Sequence, residues 1–203
     1  MLYRACWFLA QALLRPFFRI RWVGQGNVPR AGGVILAGNH VSYLDPIVIP
    51  AGLWRPVSFM AKAELFAIPV LGWLLRALHS FPVRRDTADR GAIAKASRRL
   101  EGGWAVGIFP EGTRVREGGG QGQEGAAFLA MRTGAPIVPV GIDGTGGVRP
   151  PGVRSVRFPR ISVAYGEPIE PGAFAGGSRE RVSAMTAELM AGIGAALDEA
   201  RRV

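Results

Sequence analysis

The strongest constraint on the fold of this 203-residue chain is an alternation of short apolar segments with longer helical ones. The short segments are rich in valine, isoleucine and alanine, and glycine, proline or polar residues bound them, as is typical of buried strands. The predicted strands are residues 34–37, 57–61, 81–84, 104–109 and 137–142, with one or two more within 156–165. The predicted helices are residues 46–53, 64–78 with an interruption near Pro69, 87–100, 124–132 and 179–201. Such alternation predicts an α/β domain.

The N-terminal residues 2–23 combine a short apolar run with clustered arginines and aromatic residues. These are Arg4, Arg15, Arg19, Arg21, Trp7, Phe17, Phe18 and Trp22. The uncharged run, residues 5–14, has about ten residues, whereas a membrane-spanning helix needs roughly 20. Arginine and aromatic side chains suit a helix that lies in the lipid interface, so we predict a membrane-associated segment at residues 1–23. The alternative is an ordinary amphipathic helix that packs on the core.

The formal charge of +10 comes almost entirely from arginine, because the only lysines are Lys62 and Lys95. Arginine presents a fixed fork of donors that suits phosphate, so the charge is compatible with nucleic acid, anionic lipid or a phosphorylated small molecule. A simple composition bias toward arginine is the alternative. No sequence signature of a nucleic-acid-binding fold is present, and we predict no nucleic-acid partner.

Cysteine and histidine are scarce: Cys6 is alone, and the histidines are His40 and His79. This excludes an internal disulfide, and no zinc-ligand spacing occurs. We therefore predict a reducing, cytosol-facing location and no metal or redox cofactor.

His40 and Asp45 are the most informative pair, within the sequence NHVSYLDP. Five positions on one helix would rotate the two side chains apart, but they can meet if His40 precedes a helix and Asp45 lies in its first turn. A carboxylate that holds a neutral imidazole makes a good general base. The alternative is structural, because Ser42 and Asp45 also form the pattern of a helix capping box. No GxSxG elbow occurs, which favours direct activation of a substrate hydroxyl.

Three further segments follow predicted strands or form one. FPVRRD contains Arg84 and Arg85, and FPEGTR contains Glu111, Gly112, Thr113 and Arg114; the fourth segment, APIVPVGI, includes Pro139. His40, Arg85 and Glu111 come directly after strands, where ligands gather in open α/β sheets. Guanidinium and hydroxyl groups there can donate to phosphate. The plain alternatives are a solvated charge run, a glycine-centred turn and an ordinary core strand.

These four segments, in this order, resemble the glycerolipid acyltransferase family from about Val34 to Ile142. The resemblance implies a single α/β domain with a mixed central sheet flanked by helices, at residues 24–203. It implies transfer of an acyl group from a thioester, on coenzyme A or acyl carrier protein, to the hydroxyl of a lysophospholipid such as 1-acyl-glycerol-3-phosphate. The chain differs from the family's usual pattern at Arg84, where an acidic residue is frequent, and at His79, where glycine is common.

By the same resemblance His40 is the catalytic base and Asp45 its partner. Arg85, Glu111, Gly112, Thr113 and Arg114 would shape the site for the phosphate-bearing acceptor, and Pro139 would lie in the wall of the acyl or acceptor pocket. The expected location is the cytoplasmic face of the cell membrane, in peripheral or monotopic association. Glycerol-3-phosphate, a lyso-ornithine lipid or a glycolipid stays open as the acceptor, and so does a noncatalytic lipid-binding role.

Overall fold

The computed structural model describes residues 2–84, 89–111, 124–149 and 155–203. The strands in this part of the chain are β1 (Arg21–Val23), β2 (Val34–Gly38), β3 (Val57–Lys62), β4 (Phe81–Val83), β5 (Ala105–Ile108), β6 (Ile137–Asp143) and β7 (Ser162–Tyr165). The α-helices there are α1 (Leu2–Phe18), α2 (Asp45–Ala51), α3 (Pro69–Ala77), α4 (Arg90–Glu101), α5 (Gly125–Thr133) and α6 (Ser178–Arg202). The prediction of an α/β fold is confirmed.

The strands form one mixed sheet in the order β1-β7-β6-β2-β5-β3-β4. Neighbouring strands are parallel except β6 and β7, which are antiparallel. β2 lies in the middle, between β5 and β6, and its residues Val34 to Ala37 have no exposed surface. A strand buried on both faces reads as a continuous apolar run, which is why the sequence marks β2 clearly.

Helices cover both faces of the sheet. On one face, Val34 and Leu36 of β2 belong to a core cluster with Val48 and Ile49 of α2. On the other face, Ile35 of β2 belongs to a cluster with residues of α4, α5 and α6. Because alternate side chains of a strand point to opposite faces, one short strand anchors both layers.

The largest difference from the predicted elements is β1. Residues Arg21–Val23 pair in parallel with Ser162–Ala164 of β7, so the sheet begins within the segment predicted to be membrane-associated. The arginine and tryptophan in this segment masked a strand of three residues, which is too short to show periodicity. Residues 156–165 hold one strand, β7, among the described residues.

The predicted interruption near Pro69 is confirmed. A 3-10 turn, Ala63–Ala67, ends before α3, and Pro69 is the first residue of α3. Proline is favoured at that position because it lacks the N–H that would be unpaired there.

α1 packs against the carboxyl end of α2. The Trp7 indole N–H donates to the Leu53 carbonyl at 3.0 Å, and the Gln11 amide donates to the Ala51 carbonyl. The last carbonyls of a helix have no partner within the helix, so these side chains satisfy groups that would otherwise need water. α1 buries Leu14 but exposes Phe8, Leu9, Leu13 and Phe17. It is therefore docked on the domain along one face and uncovered along the other.

The closest approach between the sheet and α6 lies at Gly141. A Cβ atom there would overlap the backbone of Ala196 and Leu197 in α6. Gly194, on the exposed side of the same helix, has open space around it. The two glycines thus form a matched pair, one required by packing and one not.

We expect Gly141→Ala to lower the free energy of unfolding by about 1–3 kcal/mol or more, because a well-packed core resists an added methyl group. Gly194→Ala should leave stability unchanged or raise it by up to about 1 kcal/mol, because alanine favours a helix over glycine. Urea denaturation of both variants measures the difference. Equal stability of the two would contradict the close packing of β6 on α6.

Candidate active site

The candidate site lies at the edge of the sheet formed by the carboxyl ends of β2, β3 and β5. His40 follows β2, Lys62 ends β3, and Phe109 and Glu111 follow β5. These parallel strands are neighbours, in the order β2-β5-β3. The sheet topology therefore brings together residues that are far apart in the sequence, at the edge where ligands bind in α/β folds.

His40 and Asp45 form a buried hydrogen-bonded pair. The Nδ1 atom of His40 lies 2.8 Å from Oδ2 of Asp45, and the two residues are 7% and 0% exposed. His40 precedes α2 and Asp45 is the first residue of that helix, so the predicted placement is confirmed. A carboxylate can only accept, so Nδ1 carries the proton and Nε2 keeps its lone pair. This tautomer leaves Nε2 as the basic atom.

The Asp45 carboxylate is fully enclosed by donors. Its Oδ2 atom also accepts the backbone N–H groups of Val41 and Ser42, each at 2.8 Å, and its Oδ1 atom accepts the Thr145 hydroxyl at 2.7 Å. A buried charge is tolerated only when it is paired and hydrogen-bonded, and this arrangement meets both conditions.

The predicted capping box is not formed. The Ser42 hydroxyl accepts from Leu44 N–H at 3.3 Å, and α2 begins only at Asp45, so Ser42 lies outside the capping position. Asp45 does accept from Ser42 N–H, which is half of the pattern. The structural alternative therefore describes part of what Asp45 does, but the pairing with His40 lies outside it.

One contact restrains the imidazole ring itself, and a second restrains the backbone directly before it. The Phe109 ring stacks on it with 4.1 Å between centroids and 14° between planes, and Phe59 stacks on Phe109 in turn. The Asn39 side chain exchanges two hydrogen bonds with the backbone of Ile142, at 2.9 and 2.8 Å. This amide holds the end of β2 against β6, directly before His40. Asn39 lies within the NHVSYLDP segment, but the sequence pattern predicted no role for it.

Glu111 joins the site through the backbone. Its carboxylate accepts the N–H of His40 at 3.3 Å, which connects the residue after β5 to the residue after β2. The sequence predicted that Glu111 shapes the acceptor site; the structure places it beside the base. The other residues predicted for the acceptor site, Arg85, Gly112, Thr113 and Arg114, lie outside the described residues.

An apolar cavity of about 390 Å³ opens beside His40 and Phe109. Its walls come from α1, α2, β3 and α3, for example Trp7, Ile47 and Leu75. The volume lies in the range of small-molecule sites, and the walls suit a hydrocarbon chain rather than a polar ligand. Lys62 also lines the cavity, although no sequence motif singled it out.

Pro139 does not line this cavity, and its place in the wall of the acyl or acceptor pocket stays a prediction. It lies in β6, where its side chain faces Gly192 of α6 and lines a groove on the other face of the sheet. The neighbouring residues Val138 and Val140 point instead toward the layer that contains α2. The alternation of side chains along a strand decides this, and the register of β6 was not predictable from its proline.

Two tyrosines contribute neutral groups near the site. Burial raises the pKa of Tyr3, which lines the cavity and whose oxygen accepts from Val57 N–H at 3.2 Å. Burial raises the pKa of Tyr165 well above its usual value, and its hydroxyl donates to the Ile49 carbonyl of α2 at 2.5 Å. Both phenols therefore stay protonated, and they hold α1 and α2 without adding charge.

His79 is a poor candidate for the base. Burial lowers its pKa, and the positive charge of Arg99 lowers it further. It has a positive φ of 62°, the conformation in which glycine is common, and it stacks on Tyr3. Within the described residues, His40 is the histidine that pairs with a carboxylate. No cluster of three or more potential metal ligands occurs in the same residues.

Comparison with known proteins gives consistent matches. A 1-acyl-sn-glycerol-3-phosphate acyltransferase of Bacillus subtilis is 30% identical over 190 residues, which are 93% of this chain and 93% of that protein. A chloroplastic 1-acyl-sn-glycerol-3-phosphate acyltransferase of Arabidopsis thaliana is 30% identical over 151 residues, 72% of this chain but only 42% of that one. The crystal structure of the 1-acyl-sn-glycerophosphate (LPA) acyltransferase PlsC of Thermotoga maritima superposes with a TM-score of 0.77 at 26% identity, covering 95% of this chain and 78% of that one.

The family model described as Acyltransferase matches residues 19–143, which include His40, Asp45, Phe109 and Glu111. That segment is more than half of the chain, and it contains the buried pair, the stacked aromatic ring and the cavity wall at the sheet edge. The protein therefore belongs to the Acyltransferase family.

Proposed function

We propose that this protein transfers a fatty acyl group from an acyl thioester to the free hydroxyl of 1-acyl-glycerol-3-phosphate, giving phosphatidic acid. The observation that carries the proposal is the buried His40–Asp45 pair at the mouth of an apolar cavity. The pair supplies a base, and the cavity supplies space for an acyl chain next to it. The names of the full-length bacterial relative and of the structural neighbour agree with this substrate.

In the proposed reaction the acceptor hydroxyl gives its proton to Nε2 of His40 while its oxygen attacks the thioester carbonyl carbon. Asp45 stabilises the imidazolium that forms. The tetrahedral intermediate then collapses, the carbon–sulfur bond breaks, and the thiolate leaves and takes up the proton. The acyl donor is an acyl thioester of coenzyme A or of acyl carrier protein, and the proposed step needs no metal or redox cofactor.

The acceptor phosphate is proposed to bind at the same sheet edge. Arg85, Gly112, Thr113 and Arg114 are assigned to this role by the family resemblance alone. Lys62 supports the proposal, because it ends β3, lines the cavity that contains His40 and carries a positive charge there. Its ammonium lies 3.3 Å from the Glu64 carboxylate. Because these side chains are 49% and 65% exposed, the pair is weak enough to rearrange around an anion.

The protein is proposed to work at a membrane surface, with the exposed side of α1 in contact with lipid. Trp7 lines the cavity and also packs on the exposed rings of Phe8 and Trp54, at 5.0 and 5.4 Å between centroids. Trp54 is 92% exposed, and Val70 and Trp73 of α3 are also exposed. Arg4 and Arg15 lie exposed on α1, as an interfacial helix requires. The uncovered apolar surface thus adjoins the cavity where the lipid substrates would react.

In the described residues, the helices are too short or too polar to cross a bilayer. The sequence prediction of interfacial rather than spanning contact for residues 1–23 therefore stays as a proposal. The cytoplasmic face of the cell membrane is proposed as the location of this contact. Residues 24–203 are proposed as the acyltransferase domain. β1 modifies this division, because residues 21–23 belong to the sheet.

We expect His40→Ala to lower acyl transfer about 10²–10⁴-fold without unfolding the protein, because the base that accepts the hydroxyl proton is lost. Asp45→Asn should lower kcat with little change in KM, because an amide cannot stabilise the imidazolium as a carboxylate does. His79→Asn is the matched control, since asparagine tolerates a positive φ and should keep nearly normal activity. Release of free thiol from the acyl donor measures turnover. Normal turnover of His40→Ala would refute the proposed mechanism.

We expect Arg85→Ala and Arg114→Ala each to raise the acceptor KM on the order of 10-fold or more, because a charged hydrogen bond to phosphate contributes about 1.5–3 kcal/mol. Arg179→Ala, on the exposed first turn of α6, removes the same charge and should leave KM unchanged.

A panel of acceptors that includes glycerol-3-phosphate and lyso-ornithine lipid tests the substrate. If lyso-ornithine lipid is acylated faster than 1-acyl-glycerol-3-phosphate, the proposed acceptor is wrong.

We expect the double substitution Phe8→Ser, Leu9→Ser to weaken binding to anionic vesicles and to reduce activity on lipid-presented acceptor. Activity on a soluble short-chain acceptor and the melting temperature should change little, because both side chains are 60% or more exposed. Phe128→Ser is the control, since Phe128 is exposed on α5, on the other face of the sheet. Vesicle flotation at rising salt measures the binding, which should weaken because each arginine near an anionic surface contributes about 1 kcal/mol. Unchanged flotation of the double variant would exclude α1 as the contact.

A further inference from the structure

Thr145 is a buried polar residue outside the segments that the sequence singled out. It is 1% exposed and begins the 3-10 turn Thr145–Gly147 that follows β6. Its hydroxyl donates to Oδ1 of Asp45 at 2.7 Å, although the two residues are 100 positions apart in the chain. The contact therefore exists only because the sheet places the end of β6 beside the start of α2.

The two oxygens of the Asp45 carboxylate have different partners. Oδ2 takes the His40 imidazole and the N–H groups of Val41 and Ser42, all local in sequence. Oδ1 takes the Thr145 hydroxyl. The carboxylate group rotates about its Cβ–Cγ bond, and the local donors restrain that rotation through Oδ2 alone. The Thr145 hydroxyl restrains the same rotation through Oδ1, and thereby the direction in which Oδ2 faces His40.

The residues directly before Thr145 restrict the position of its turn. Gly144 has a φ of +85°, and a Cβ atom there would overlap the Arg160 carbonyl, so only glycine fits. Two residues earlier, the backbone of Ile142 is held by the two hydrogen bonds from Asn39. The position of the Thr145 hydroxyl is therefore set by the sheet and not by its own turn.

We propose that Thr145 is a positioning residue for acyl transfer: its hydroxyl orients the Asp45 carboxylate, and thereby the His40 imidazole, toward the acceptor hydroxyl. The inference rests on the proposed roles of His40 and Asp45. Because Thr145 acts through Asp45, loss of its hydroxyl is predicted to lower kcat, while the binding of donor and acceptor stays intact. It also predicts that the effect disappears when Asp45 no longer carries a charge.

The test compares Thr145→Val, which keeps the shape but removes the hydroxyl, with Thr145→Ser, which keeps the hydroxyl. The Val variant should lose between about 10-fold and about 100-fold in kcat, because a small misplacement of a catalytic group has effects of that size, with KM for both substrates nearly unchanged. The Ser variant should recover most of the loss. Thr186→Val, which removes a hydroxyl that donates within α6, is the control and should be fully active.

A double-mutant cycle separates orientation from folding. In an Asp45→Asn background, adding Thr145→Val should lower kcat less than 3-fold further, because the two groups act as one unit. Three results would each overturn the inference. They are a full additional loss of kcat in that background, a normal kcat of Thr145→Val, and a loss of kcat that Thr145→Ser does not restore. If Thr145→Val does not fold, Thr145→Ala replaces it, since it is smaller than the native residue. If neither Thr145→Val nor Thr145→Ala folds while Thr145→Ser is normal, the hydroxyl contributes to stability alone, and this result also overturns the inference.

The outcome is distinguishable from failure of the proposed function. If His40→Ala keeps its turnover, the proposed base is wrong whatever Thr145 does. If His40→Ala and Asp45→Asn lose turnover while Thr145→Val keeps a normal kcat, the base stands and only the positioning role of Thr145 fails.

Discussion

The buried carboxylate of Asp45 is the group on which the rest of the site depends. A charge with no exposed surface is costly unless donors surround it, and here the donors come from two parts of the chain. His40, Val41 and Ser42 follow β2, and Thr145 follows β6, whereas Asp45 itself begins α2. Satisfying one charge therefore joins the ends of two strands to the start of a helix, and the orientation of the His40 imidazole is a consequence.

The parallel sheet makes this possible because it gathers strand ends at one edge. β2 lies between β5 and β6, so the residues that follow these three strands meet around His40. Glu111 and Phe109 approach from the β5 side, through the backbone N–H of His40 and the face of its ring. Asn39 and Thr145 connect to the β6 side. Each neighbour constrains a different degree of freedom of the imidazole or its carboxylate.

The two faces of the sheet have different tasks. α4, α5 and α6 pack closely on one face, where Gly141 lets α6 approach the backbone of β6. On the other face, α1, α2 and α3 leave an apolar cavity that reaches His40. The uncovered aromatic surface comprises Phe8 of α1, Trp73 of α3 and Trp54, which follows α2. An apolar cavity thus lies beside His40 on one face, while the helices on the other face pack tightly on the sheet.

The sequence by itself determined the α/β class, the apolar strand β2, the interruption at Pro69 and the pairing of His40 with Asp45. These follow from local patterns: buried strands read as apolar runs, proline starts a helix, and a spacing of five lets a loop residue meet the first turn of a helix. The sequence did not show β1, the contact of Thr145 with Asp45 or the side on which Pro139 lies. Those depend on strand register and on contacts between residues about 50 to 140 positions apart, which only the tertiary structure decides.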